Sequence, residues 1–251
     1  MVRFGARRTT NDARRLMTWI KICGITNLED ALVAVDAGAD ALGFVFYEKS
    51  PRNITAEAAA MIIEGLPEGT EKVAIVVHDC SYTIDFPATL TAFQWVHTQL
   101  PQSFAGLVAD GSTRPFKNFL AFPAADLDEA SVQRLRDAFV RFNELSRKPN
   151  MSLLFDALFL DSGSALKPGG TGIPFDWAKA APVAHEIGKG PFKLVVAGGL
   201  TPDNVTEAMR ILHPWGVDVS SGVESRPGKK DPEKVRAFIK AVREADKASS
   251  N

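Results

Sequence analysis

WIKICGITNLEDALVAVDAG, residues 19–38, sets the architecture of the chain. Its first five residues read as a short buried strand, and Gly24 breaks the run. Thr26-x-x-Glu29 then matches a capping box for a helix that stops at Gly38. The next apolar run, Asp40 to Phe46, is a second strand; beyond the Ser50-Pro51-Arg52 loop a helical pattern covers Thr55 to about Gly65. One βα unit has thus been followed by another.

The alternation continues to the C-terminus. Lys72–Val77, Phe93–His97, Asn118–Phe122, Ala157–Asp161, Lys193–Ala197 and Gly216–Ser220 bring the strands to eight. Helices are expected over Asp126–Arg147, Phe175–Ile187, Pro202–Leu212 and Pro232–Ala245. Residues 81–117 carry no clear helical pattern. Thr201-Pro202 and Asp231-Pro232 each pair an N-cap residue with proline at the first helical position. Strict alternation demands parallel strands joined by right-handed crossovers. Eight units in 251 residues favour closure into a (β/α)8 TIM barrel over an open sheet.

Composition narrows the function classes. With 45% hydrophobic and 24% charged residues the chain is globular. Its 29 basic and 30 acidic side chains nearly cancel, so no global field draws it to nucleic acid or to an anionic membrane. No apolar run approaches the roughly 20 residues of a membrane span. Cys23 and Cys80 are too few for a disulfide scaffold, which fits a reducing compartment and a cytoplasmic location. The first sixteen residues hold Arg3, Arg7, Arg8, Arg14 and Arg15 against Asp12. That bias raises an Arg-rich targeting peptide, but residues 1–16 read as a disordered tail before a single catalytic domain over 17–251.

Barrel enzymes work at the C-terminal ends of their strands, and three polar sets end apolar strands here. Lys21 and Cys23 share one strand face, so a cation stands beside a thiol and would favour its thiolate; a buried structural cysteine is the bland alternative. Asp161 ends the sixth strand, ahead of Gly169-Gly170-Thr171-Gly172, and is placed either to exchange a proton or to cap a loop. Ala197-Gly198-Gly199-Leu200 and Asp218-Val219-Ser220-Ser221-Gly222 follow strands seven and eight, the loops that hold phosphate in α/β barrels.

KICGIT at 21–26, GADALGFVFYEKSPRNI at 38–54, FLDS at 159–162, GGTGIPFDW at 169–177, AGGLTPDNV at 197–205 and VDVSSGVESRPGKKD at 217–231 together resemble the phosphoribosylanthranilate isomerase family from Met17 onward. The resemblance implies an Amadori rearrangement of a phosphorylated sugar in tryptophan biosynthesis, without metal or organic cofactor. Cys23 takes the place of the general base and Asp161 that of the general acid. Arg52 takes that of the arginine holding the anthranilate carboxylate, and Gly198, Gly199, Ser221 and Gly222 form the phosphate cradle. Asp218 is expected near the ribose hydroxyls. His97 stands for the family's histidine in a strand-four motif that reads Trp95-Val96-His97-Thr98 here instead of Gln-Leu-His-Gly, and Ala121 lies where the family often has lysine. The expected partner is a small phosphosugar, with no nucleic acid and no membrane, acting on a monomer or homodimer. Two rivals are another phosphosugar isomerase or epimerase, opposed by Cys23 and Arg52, and a non-catalytic phosphate-binding barrel, opposed by the acid and base pair.

Overall fold

The computed structural model describes residues 17–77, 86–96, 108–109, 116–125, 127–145, 152–153, 155–163 and 172–249. The proposed tail at 1–16, Cys80, His97, Thr98 and the glycines at 169 and 170 lie outside them. Eight strands form a closed parallel barrel: β1 Trp19–Cys23, β2 Ala41–Phe46, β3 Glu71–Val77, β4 Ala92–Val96, β5 Lys117–Pro123, β6 Ala157–Asp161, β7 Lys193–Ala197 and β8 Gly216–Val219. Neighbours follow chain order, and β8 pairs with β1 to close the ring.

These strands are legible because both faces are buried, so each reads as a nearly unbroken apolar run. β2, ALGFVF, is buried at every position. Alternate residues then divide between two cores. One set, including Leu42, Phe44, Leu158, Leu160 and Val196, packs against the surrounding helices. The other faces the barrel axis, where small residues such as Ala41, Ala92, Ala157 and Ala197 leave room for Phe119 and Phe159. Trp19 stacks on Trp215 at 5.3 Å between ring centroids and closes the N-terminal end.

Among the described residues six helices wrap the barrel: α1 Leu28–Ala37, α2 Ala56–Glu64, α3 Glu129–Leu145, α4 Trp177–Gly188, α5 Val205–Leu212 and α6 Pro232–Ser249. Most of the stretch over 81–117 that carried no clear helical pattern lies outside the described residues. Antiparallel ribbons join Val108–Ala109 to Ser152–Leu153 and Glu224–Arg226 to Lys229–Lys230. Neither was expected from the sequence.

Two helix starts differ from expectation. Asn27, not Thr26, caps α1, its side chain accepting from the Asp30 amide at 2.9 Å. Thr26 instead donates its hydroxyl to the Gly228 carbonyl. At α5 the Thr201-Pro202 step forms a turn and the helix begins at Val205. Asn204 is used there to brace the loop after β7, accepting from the Thr201 amide and donating to the Gly199 carbonyl. Asp231 caps α6 as expected, accepting from the amides of Glu233 and Lys234. Among the described residues no helix is long and apolar enough to cross a membrane.

Candidate active site

Because all eight strands are parallel, their C-terminal ends meet on one face, and a cavity of about 450 Å³ opens there. Cys23, Arg52, Asp161, Gly198, Gly199, Asp218 and Ser221 all line it. Gly222 lies next in the chain, packed on the Leu200 carbonyl. Seven of the nine residues singled out from the sequence therefore share one cavity; His97 falls outside the described residues. Val96 takes the cavity-facing position at the end of β4.

Cys23 ends β1 and is buried. Gly43 on β2 makes the space for its thiol, since a Cβ there would sit 2.8 Å from Sγ. Two residues below, Lys21 is fully buried and pairs with Asp218 of β8, Nζ to Oδ2 at 2.8 Å, with the Phe159 ring 5.3 Å away. Burial opposes the Lys21 charge, but Asp218 and the Cys23 sulfur outweigh it and hold its pKa above the ordinary value. For the thiol the balance reverses. Burial pushes the Cys23 pKa up, against the pull of Lys21, so the expected thiolate is not favoured.

Asp161 ends β6, across the barrel from β1. Burial raises its pKa from 3.8 to about 6, even though Oδ1 accepts from the Gly163 amide at 2.7 Å; Asp218 pushes the same way. A carboxyl so placed still holds a proton in the range where an acid catalyst needs one.

The loops after β7 and β8 border the same cavity. Gly198 and Gly199 have φ of +79° and +68°, and side chains there would collide with Ser162 and with the Pro174 backbone. Only glycine meets both demands, and the turn leaves its amides beside the cavity.

Several site residues were missed by the sequence reading. Gln94 on β4 is 3% exposed and lines the cavity; its Oε1 has no partner among the described residues, and the same holds for Asp218 Oδ1 and Ser220 Oγ. A polar residue in an apolar strand, in phase with the inward-facing Ala92 and Val96, was the available signal. Arg52 is held by Glu224 through two bonds of 2.8 Å, Nε to Oε1 and Nη2 to Oε2. Glu224 stands in the second ribbon, within the motif at 217–231, where nothing set it apart from its charged neighbours.

Fold and site define a class: a (β/α)8-barrel enzyme with a carboxyl, a thiol and a glycine-rich turn bordering one cavity. Comparison with known proteins takes this further. The family model of N-(5'-phosphoribosyl)anthranilate isomerase matches residues 130–241. The isomerase of that name from Pelobacter propionicus is 42% identical over 237 residues, spanning 93% of this chain and all of the relative. The crystal structure of phosphoribosylanthranilate isomerase from Thermotoga maritima superposes with a TM-score of 0.65 at 34% identity, over 91% of this chain and all of that one. A structure of such an isomerase with reduced 1-(o-carboxyphenylamino)-1-deoxyribulose 5-phosphate matches at a TM-score of 0.63 and 33% identity, with the same coverage. The chain belongs to the N-(5'-phosphoribosyl)anthranilate isomerase family.

Proposed function

We propose that Cys23 and Asp161 carry out the Amadori rearrangement of N-(5'-phosphoribosyl)anthranilate to 1-(2-carboxyphenylamino)-1-deoxyribulose 5-phosphate, a step of tryptophan biosynthesis. Asp161 gives its proton to the ribose ring oxygen. The C1'–O bond breaks as the anilino nitrogen lone pair moves in, leaving a C1'=N⁺ Schiff base. That cation acidifies the C2' hydrogen, which Cys23 removes as a base. The electron pair of the C–H bond becomes the C1'=C2' bond and neutralises the nitrogen. The resulting enaminol then tautomerises: its hydroxyl loses a proton, C1' gains one, and the ketone forms.

Binding follows from the remaining residues. Arg52 faces the substrate carboxylate, Asp218 Oδ1 accepts from a ribose hydroxyl, and Gly198, Gly199, Ser221 and Gly222 hold the phosphate. One observation carries the reading: acid, thiol, arginine and cradle all border a single cavity at the barrel mouth. A small phosphosugar is the proposed partner, on a monomer or homodimer, in the cytoplasm. The test is to generate phosphoribosylanthranilate in situ and follow the loss of its fluorescence with purified protein. An inactive protein that is folded by circular dichroism would overturn the proposal.

A further inference from the structure

Behind Arg52 stands an ion network that does not touch the cavity. Glu224 occupies the Nε and Nη2 edge of the guanidinium, and its Oε1 also accepts from Lys230 Nζ at 3.0 Å. Lys230 is 1% exposed and donates as well to the Ser220 carbonyl at 3.2 Å. The ribbon carrying both residues is anchored to the start of α1. Asp30 accepts from the Lys230 amide at 2.7 Å and from Lys229 Nζ at 2.6 Å. Lys234 Nζ donates to the Glu224 carbonyl at 3.0 Å. Glu224 is thus fixed at backbone and carboxylate alike, and Arg52 Nη1 is left without a protein partner among the described residues.

We infer that Glu224 is a positioning residue for substrate recognition: balanced by Lys230, it fixes the Arg52 guanidinium so that the Nη1 edge meets the carboxylate on the substrate's aromatic ring. The inference rests on the reading that Arg52 holds that carboxylate. An arginine on an unbraced loop would sample many rotamers and lose that freedom on binding. A bidentate brace makes the loss part of folding instead.

Charge alone predicts the opposite sign, since Glu224 is an anion placed behind a site for another anion. Geometry decides between the two. Glu224 is itself paired with Lys230 Nζ at 3.0 Å, so Arg52, Glu224 and Lys230 together carry one positive charge, and what Glu224 adds at the guanidinium is two bonds of fixed direction. Burial lowers the Lys230 pKa against the pull of Glu224, so a neutral residue at 224 would lower it further and offset part of the charge gained.

The experiment compares two probes by calorimetric titration: reduced 1-(o-carboxyphenylamino)-1-deoxyribulose 5-phosphate and its phenylamino counterpart lacking the ring carboxylate. Glu224→Gln should weaken the first about ten-fold or more, as expected for a misaligned charge-assisted bond, and the second less than about two-fold. Its KM should rise while kcat stays within a few-fold, and a double variant with Arg52→Ala should bind no more weakly than Arg52→Ala alone. Equal weakening of both probes would mean a structural role, and tighter binding of the first a charge effect only; either overturns the inference. If Arg52→Ala discriminates between the probes and Glu224→Gln does not, the positioning role fails while the Arg52 reading stands. If Arg52→Ala does not discriminate, both fail. Should Glu224→Gln not fold, Glu224→Asp keeps the charge but shortens the reach to the guanidinium. It should weaken the first probe a few-fold more than the second, and equal effects would refute the positioning role.

Discussion

Replacing Asp161 by Asn should make the protein inactive yet more stable, and the gain should depend on pH in a way the structure dictates. In the folded protein the Asp161 pKa lies at about 6, against 3.8 for an unperturbed aspartate, chiefly because burial disfavours the carboxylate. A group that binds its proton more tightly when folded supports folding fully below the unfolded pKa, and that support is lost as pH rises through the folded one. Above pH 6 the parent therefore holds an anion where the fold prefers a neutral group. The shift of about two units corresponds to at most about 3 kcal/mol at 1.36 kcal/mol per unit. Partial solvent access to the carboxyl reduces this to about 1–3 kcal/mol. For a chain of this size each kcal/mol moves Tm by about 2–4 °C, so Asp161→Asn should melt about 3–10 °C higher at pH 8. Asn keeps an oxygen for the Gly163 amide, so that bond does not confound the comparison. Melting followed by circular dichroism at five pH values from 4 to 8 should show an advantage that is small at pH 4, grows to pH 6 and is then flat. A constant difference, or a parent that is the more stable at pH 8, would refute the burial argument.

Cys23→Ser keeps the volume but offers a hydroxyl that is scarcely ionised, so kcat should fall by about 100- to 10,000-fold with little change in Tm; steady-state kinetics beside a melt checks it, and a rate within a few-fold of the parent would remove Cys23 from the chemistry. Arg52→Ala should raise KM strongly. Although a solvated loop arginine would leave folding intact, the Glu224 bond makes the variant lose stability, by about 2–4 kcal/mol because Lys230 keeps the carboxylate partly paired; denaturant unfolding with an unchanged midpoint would show the pair to be weak. A chain beginning at Met17 should keep Tm and activity, and a loss of more than a few degrees would show that residues 1–16 pack on the barrel.

Strand positions were legible to within a residue because a parallel barrel buries both faces of each strand, so each reads as an apolar run interrupted only by an inward-facing polar residue such as Lys21, Gln94 or Asp218. Caps were less so. Thr26 and Asn27, or Thr201 and Asn204, offer the same acceptor chemistry within a few residues, and the tertiary partners decide: Gly228 for Thr26, the Gly199 carbonyl for Asn204. The residues that end strands β1, β6 and β8 were found because a polar side chain there contrasts with an apolar run. Glu224 and Lys230 have no such contrast. They sit in ESRPGKKD at 224–231, a charged stretch of the motif at 217–231, and are buried because the ribbon folds back against Arg52 and is anchored to Asp30 of α1, about two hundred residues away in sequence.

The opposing signs at the barrel mouth set an order on the proposed chemistry. Lys21 lowers the pKa of both Cys23 and Asp161, and Asp218 raises both. Bound to each other at 2.8 Å, these two act in opposite directions at each of the two groups, and burial remains the first cause of each shift. The pair therefore keeps a charged Lys21 and a charged Asp218 tolerable in the barrel without committing either neighbour to ionise. Cys23 rests as a thiol, a poor base, while Asp161 retains a share of protonated form near neutrality. Proton donation must come first. Once Asp161 has opened the ring it is a carboxylate and the substrate is a Schiff-base cation: the cation favours ionisation of the buried thiol, and the Asp161 carboxylate is a base available in the same cavity to take up the thiol proton. The acid step thus creates the condition for the base step, and a sugar that cannot form the cation would leave Cys23 protonated in the same cavity.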